Sequence, residues 1–281
     1  MREAIRENGT RAILGSLVLL LLSAAALTPL AGQLAAPNDN GVSFATVHLT
    51  VRNPAEHQRL WREMFGARTT SIGSEDVIQV PGLIFVVNEG APTGGSAGAF
   101  VDHVGFLVPD LAAVKGLVVD EDITIVSENE RLSQLTVEFP DGVKIEFTGT
   151  PGLGMPISLH HVHFFVENGE ALRAWYAHTF GAKASMRRIF FSAEFPGGPG
   201  FPGPELDFLT GRTGSVPNDG RAIDRIGLEV QGLERLLARL EGEGATIEVP
   251  LQERSGLGVR RAVIVDPIGT RIELTEGLSR R

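Results

Sequence analysis

The stretch SLHHVHFFVEN, residues Ser158 to Asn168, places three of the chain's seven histidines within four positions. Its alternating apolar residues predict a β-strand. Because successive side chains of a strand point to opposite faces, His161 and His163 share one face with Phe165. Two interpretations remain open at this point. The strand either carries hydrogen-bonded histidines on a sheet surface, or it supplies a metal site that also draws ligands from elsewhere in the chain.

The same pattern opens three other segments of the chain. The four openings are ATVHLTVRNP from Ala45, VDHVGFLVPDL from Val101, LHHVHFFVENG from Leu159 and IDRIGLEVQGL from Ile223. Each alternates apolar residues at the strand period and then turns on Asn, Pro, Asp or Gly into a helical stretch. Such self-similarity indicates a repeat architecture.

The rest of each unit predicts the order βαβββ. Two of the helices, HQRLWREMFGA and LRAWYAHTFGA, match closely, with Trp61 and Tyr176 in the same place before Phe-Gly-Ala. Three units close on a turn and a strand, in FPDGVKIEF, PGPELDFLT and DPIGTRIELTE. Four units predict two domains, residues 42–150 and 157–277, joined by the Gly- and Pro-rich segment GTPGLGMPIS.

Composition restricts the classes of partner and cofactor. A net charge of -9 argues against binding to nucleic acid, so we expect a small-molecule partner; the oligomeric state stays open. The chain has no cysteine, which excludes disulfides, thiolate nucleophiles and Cys-ligated metals. A metal must therefore be bound by His, Asp and Glu, and the expected cofactor is divalent zinc, nickel, manganese or Fe(II).

The N-terminal segment, residues 1–36, has the layout of a secretory signal peptide. Arginines precede the apolar run AILGSLVLLLLSAAAL, and small residues follow it in TPLAGQLAAP. The run is short for a membrane span, although an uncleaved anchor is the alternative. We therefore expect a periplasmic or secreted protein with no stable membrane partner beyond a possible N-terminal anchor.

These residues resemble the vicinal oxygen chelate superfamily, which includes glyoxalase I, extradiol dioxygenases and bleomycin-resistance proteins. The resemblance rests on the four βαβββ units, the DHVGF and HHVHF openings, the FGA helix ends and the PDGVKIEF and DPIGTRIELTE closings. It implies an α+β fold of two domains, each made of two βαβββ modules that form curved mixed sheets. The reaction stays open, because this fold hosts lyases, isomerases, dioxygenases and metal-free binding proteins.

The resemblance also implies one metal ligand at the start of each unit's first strand and one near the middle of its last strand. In the second unit these positions hold His103 and Glu146. In the third unit they hold His161 and Asp207, at a similar spacing. A buried carboxylate must be paired or metal-bound, because an isolated buried charge is very unfavourable.

The first and fourth units fill these positions incompletely. The fourth has Glu273 as a candidate metal ligand but Arg225 where a histidine is expected. The first lacks both ligands, although His48 lies two positions along on the same face as Thr46. An ion pair between Arg225 and Glu273 is the favoured interpretation, and a clamp on a substrate carboxylate is the alternative role of Arg225.

Two ways of pairing the units remain open. If the second pairs with the third, one cup gains a four-ligand set with two octahedral positions free: His103, Glu146, His161 and Asp207. The other cup is then metal-free. If units pair within each domain, Arg225 stands where the second domain would need a histidine ligand. A guanidinium cannot bind a cation, so His163 is the substitute ligand in that domain.

The function that the resemblance implies is a metal-dependent lyase or isomerase acting on a small oxygenated substrate that chelates the metal. In such an enzyme the metal acts as a Lewis acid while Glu146 or Asp207 transfers a proton. Substrate contacts are expected from His163, Arg225 and His48. The alternatives are an Fe(II) extradiol-type dioxygenase and a non-catalytic small-molecule-binding protein of the bleomycin-resistance kind.

Overall fold

The structure is a computed structural model that describes residues 34–280. Residues 1–33, which carry most of the expected signal peptide or anchor, lie outside the described residues. Between residues 34 and 280 no helix is both long enough and apolar enough to cross a membrane.

Four units of order βαβββ follow one another along the described chain. The first contains β1 Val42–Val51, α1 Pro54–Phe65, β2 Arg68–Ile72, β3 Glu75–Val80 and β4 Leu83–Glu89. The second contains β5 Val101–Val108, α2 Leu111–Asp120, β6 Thr124–Asn129, β7 Gln134–Phe139 and β8 Val143–Gly149. The third contains β9 Ser158–Phe165, α3 Gly169–Phe180, β10 Lys183–Arg187, β11 Phe190–Glu194 and β12 Glu205–Leu209. The fourth contains β13 Ile223–Val230, α4 Leu233–Gly242, β14 Thr246–Gln252, β15 Arg260–Val265 and β16 Arg271–Glu276.

The turn residues of the repeat act as helix caps. The side chains of Asn53, Asp110 and Asn168 each accept a hydrogen bond from the backbone N–H of the third residue of the helix that follows. The FGA motif ends two helices, because Gly66 and Gly181 adopt left-handed conformations with φ of 65° and 69°. The repeated sequence therefore fixes where three of the helices begin and where two of them, α1 and α3, end.

Hydrogen bonding pairs the second unit with the third and the first with the fourth. One eight-stranded mixed sheet has the order β10-β11-β12-β9-β5-β8-β7-β6, and the other has the order β14-β15-β16-β13-β1-β4-β3-β2. Antiparallel pairs β5–β9 and β1–β13 join the units at the centre of each sheet. The predicted α+β class with two curved mixed sheets is thereby confirmed. The segments 42–150 and 157–277 each contribute one unit to each sheet.

A continuous hydrophobic core joins the two sheets. Trp61 of α1 is fully buried, and its ring centroid lies 4.9 Å from that of Phe85 in one sheet and 5.1 Å from that of Phe106 in the other. Tyr176, at the equivalent place in α3, packs on Phe164 and Phe208. The aromatic residue before each FGA motif is thus a packing residue.

Tyr176 also donates a hydrogen bond to Asp266, a carboxyl group that is only 4% exposed. Asp266 accepts two backbone N–H groups of the β15–β16 turn, from Ile268 and Thr270. Burial nevertheless raises the pKa of Asp266 from its ordinary value of 3.8 to about 6.

We expect this group to make stability fall as pH rises. Since its pKa is higher in the folded state, the folded protein binds the proton more tightly, and the stabilisation present below about pH 4 is lost through about pH 6. A shift of this size corresponds to at most roughly 3 kcal/mol. Asp266→Asn should flatten this part of the profile in urea unfolding at a series of pH values. The exposed Asp39→Asn should retain it, and identical profiles for both variants would contradict the assignment.

Candidate metal centre

Three imidazoles converge on the cup formed by the second and third units. His103 comes from β5, and His161 and His163 come from the antiparallel neighbour β9. In the register of these strands His103 lies opposite His163, and Gly105 lies opposite His161, so all three rings share one face. One ring nitrogen of each histidine lies within 4.8 Å of the other two. Register shifts flank this part of the pair, as is common beside functional sites.

The three rings are buried and incompletely hydrogen-bonded. His103, His161 and His163 are 5%, 1% and 7% exposed, and the Nε2 atom of each has no hydrogen-bond partner among the described residues. Burial is the largest cause that lowers the pKa of His161 and of His163 well below the usual value. The neutral imidazole is the form that binds a metal. Buried unpaired acceptors are costly unless a ligand satisfies them.

A carboxylate completes the set of donors. Glu146 Oε2 lies 3.8 Å from His103 Nε2, and Oε1 lies 3.7 Å from His161 Nε2. The side chain of Gln134 donates to Glu146 Oε1 at 2.9 Å, which orients the carboxylate. Two donors about 2.1 Å from one ion are at most about 4.2 Å apart, so these separations are close to those of a bound metal. The residues therefore fit a divalent transition metal with nitrogen and oxygen ligands.

Gly105 makes room for His161. A Cβ atom added at Gly105 would lie 2.0 Å from Cε1 of the His161 ring. The glycine of DHVGF is therefore required by the position of a ring on the neighbouring strand, since any side chain would displace that ring.

Asp102 holds His103 in place from its other ring nitrogen. Its Oδ1 lies 2.7 Å from His103 Nδ1, and the ammonium of Lys144 also contacts this oxygen. Burial by itself would raise the pKa of Asp102, but the hydrogen bonds from His103 and Lys144 outweigh it and lower the pKa to about 2. A carboxylate behind a ligating histidine fixes the ring and its tautomer.

We expect Asp102→Asn to weaken metal binding without removing a ligand. The loss should be about 10- to 100-fold in affinity, because the partner of His103 Nδ1 changes while Nε2 remains. Titration of the metal-free protein with Zn²⁺ against a chelating dye would measure the affinity. Asp110→Asn, at the cap of α2, should bind Zn²⁺ as the parent does; an equal affinity in both variants would contradict this role of Asp102.

The predicted ligand and proton-transfer residue Asp207 has a different partner. It is fully buried on β12, opposite His163, but Ser192 Oγ donates to its Oδ1 at 2.6 Å and Arg187 Nε donates to its Oδ2 at 2.7 Å. Arg187 also pairs with Glu205 at 2.9 Å, and burial together with the charge of Asp207 raises the pKa of Glu205 to about 7. Within residues 34–280, Asp207 is not among the converging ligand atoms, and its carboxylate is neutralised by the guanidinium of Arg187.

The predicted site residues His48, Arg225 and Glu273 lie in the other sheet. Glu273 Oε2 is 3.4 Å from Arg225 Nε and 3.0 Å from Arg261 Nη1, and its Oε1 is 3.6 Å from His48 Nε2. The favoured ion pair between Arg225 and Glu273 is therefore present. Glu273 is not brought to the three histidines, since its own sheet surrounds it with cations.

Sequence reasoning missed Asp102, Gln134, Lys144 and Arg187. Asp102 is adjacent to His103 in the chain, and strict alternation along a strand predicts that their side chains point to opposite faces of the sheet. The contact between them is therefore not expected from the sequence pattern. Arg187 comes from an edge strand whose distance from Asp207 depends on the sheet. The sequence predicts His163 as a substrate contact, with metal ligation as the weaker alternative, and the structure places it within the imidazole cluster.

Solved structures of other proteins have a similar overall fold. Glyoxalase I from Zea mays is similar with a TM-score of 0.63 and 16% sequence identity, over 85% of this chain and 94% of that chain. A proposed dioxygenase from Bacillus subtilis is similar with a TM-score of 0.58 and 14% identity, over 83% of this chain and 84% of that chain. No protein-family model and no curated protein matches the chain. The chain shares the fold of these proteins, and the fold that the sequence resemblance implies is confirmed.

Proposed function

We propose that this protein is a metal-dependent enzyme of the glyoxalase type, acting on a small oxygenated substrate that binds the metal through neighbouring oxygens. The observation that carries the proposal is the convergence of three buried imidazoles whose Nε2 atoms lack hydrogen-bond partners, two of them within 4 Å of the Glu146 carboxylate. His103, His161, His163 and Glu146 would hold the ion. A divalent metal bound there supplies Lewis-acid polarisation of a carbonyl oxygen.

The surrounding side chains prepare the cup for this chemistry. Asp102 fixes the ring of His103, and Gln134 fixes one oxygen of Glu146. The other oxygen of Glu146, Oε2, is not the one that Gln134 binds, and it can accept a proton from a substrate carbon next to a carbonyl. Phe190 packs edge-on against His163, with ring centroids 4.7 Å apart, and limits the access of water to that side. We assign proton transfer to Glu146, because Arg187 neutralises Asp207.

One observation favours the dioxygenase as a second candidate. His103, His161 and Glu146 by themselves are two histidines and one carboxylate, the donor set of ferrous oxygenases. The objection raised by Arg225 does not apply to this cup, because Arg225 lies in the other sheet. A non-catalytic binding protein is disfavoured, since a pocket that only holds a ligand does not require three converging imidazoles with a carboxylate beside two of them.

Metal loading and two assays separate these candidates. The metal-free protein would be loaded with Zn²⁺, Ni²⁺, Mn²⁺ or Fe²⁺ and mixed with α-hydroxycarbonyl compounds in D₂O, and separately with catechols under air. Deuterium incorporation next to the carbonyl, lost in Glu146→Gln, supports the lyase or isomerase. Oxygen uptake with Fe²⁺ alone supports the dioxygenase. A metal-loaded protein inactive in both assays against broad panels would count against an enzyme.

We also propose export of the protein to the periplasm or the medium. The support is the pattern of residues 1–36, in which arginines precede an apolar run and small residues follow it. Cell fractionation with N-terminal sequencing of the recovered protein tests this, and an intact N-terminus in the cytosol would contradict it.

A further inference from the structure

A cavity of about 550 Å³ opens where the third unit meets the fourth. It lies between the end of β9, the first turns of α3, the segment 212–215 and the turn between β15 and β16. Its apolar wall is formed by Phe100, Phe165, Leu172, Trp175, Pro267 and Ile268. Small-molecule sites are usually concave, mostly apolar and about 300–1,000 Å³ in volume, so the size and lining suit a ligand.

The cavity is distinct from the metal centre. None of the three converging histidines lines it. Phe165 separates the two, since its ring lines the cavity and its centroid lies 5.4 Å from that of His163. Its occupancy therefore does not require a metal.

One cation stands at the rim of this apolar space. Arg212 is exposed, and its guanidinium lies 5.0 Å from the centroid of the Phe165 ring. Within residues 34–280 no carboxylate forms an ion pair with Arg212, although Glu167 also lines the cavity. A guanidinium recognises a planar carboxylate through paired N–H groups, and the rings of Phe165 and Trp175 offer apolar faces and edges to an aromatic ligand.

We propose that this cavity is a second binding site, specific for a flat aromatic carboxylate. The aromatic part contacts Trp175 and Phe165, and the carboxylate contacts Arg212. Two rings fit within the observed volume, while a larger polar ligand would leave its polar groups unpaired against the apolar wall. Neither the fold nor the metal donors assign a ligand to this place.

The probe for this site is naphthoate, measured by isothermal titration calorimetry on the metal-free full chain. Ala171→Phe fills the cavity, because Ala171 is exposed and lies on its wall. The matched control is Ala113→Phe, an exposed alanine at the same third position of α2, where Asp110 caps the backbone as Asn168 does for Ala171. We expect naphthoate binding in the parent and in the control, and at least about a tenfold loss in Ala171→Phe.

A second variant tests the role of charge without disturbing the wall. Arg212→Gln should weaken naphthoate about tenfold and leave binding of uncharged naphthalenemethanol unchanged. Because the Arg212 side chain is exposed, this variant keeps the test valid even if Ala171→Phe does not fold. Absence of naphthoate binding to the parent would overturn the proposal. So would equal losses in Ala171→Phe and Ala113→Phe, or unchanged naphthoate binding in Arg212→Gln.

Discussion

His161→Ala is expected to abolish stoichiometric metal binding by the purified protein. The His161 ring is 1% exposed, its Nε2 atom lacks a hydrogen-bond partner, and Glu146 Oε1 lies 3.7 Å from that atom. Residues that only orient a metal-binding side chain typically contribute 10- to 100-fold to metal affinity. Removal of a metal-binding side chain itself should therefore lower the affinity by more than about 100-fold. Metal analysis after equilibrium dialysis against Zn²⁺ measures the effect.

His48→Ala is the matched control for this experiment. His48 is also a buried histidine on a central strand, but it lies in the other sheet beside Arg225 and Glu273. It should keep the metal content of the parent. One equivalent of metal in both variants would contradict the site, and so would loss of metal in both variants while they remain folded.

Thermal unfolding gives an independent readout of the same site. A metal that binds only the folded state stabilises it by mass action, so a chelator should lower the Tm of the parent. The Tm of His161→Ala should not respond to the chelator. This comparison separates loss of the ligand from general damage to the fold, which would lower the Tm with and without metal.

Trp61→Ala is expected to cost about 3–5 kcal/mol of the free energy of unfolding. The ring is fully buried, and its neighbours are Phe65, Phe85, Phe106 and Phe139, at centroid distances of 4.9–5.5 Å. Truncation removes apolar contacts and leaves a cavity that rings from both sheets cannot fill without moving. Urea unfolding followed by circular dichroism measures the change.

Trp175→Ala is the control for the core substitution. Trp175 is the other tryptophan of the chain and is only partly buried, so its loss should be well below that of Trp61→Ala. Similar losses for the two variants would contradict the role of Trp61 as the contact between the sheets.

Much of the fold follows from local sequence, because the same pattern of strand, turn and helix signals occurs in four units. Strand alternation, the Asn and Asp caps and the FGA helix ends are signals within a few residues, and the structure places elements where they predict them. The candidate site is predictable in part. His103, Glu146 and His161 occupy the ligand positions that the resemblance implies, and the structure brings them together.

The rest of the site depends on partners that are distant in the chain. Asp207 occupies a ligand position in the repeat, yet Arg187 and Ser192 take up its carboxylate. His163 joins the imidazole cluster because β5 and β9 pair in a register that sets it opposite His103. Neither contact leaves a periodic signal in the sequence.

The sequence by itself determined the βαβββ unit, its fourfold repetition and the chemical types of the possible metal ligands, because these depend on side-chain alternation and local turns. The tertiary structure decided that the second unit pairs with the third, that His163 lies with His103 and His161, and that Glu273 also forms an ion pair with Arg261. The physical reason is strand pairing. Register between strands from different units sets which side chains share a cup, and the local pattern of any one strand is compatible with either pairing.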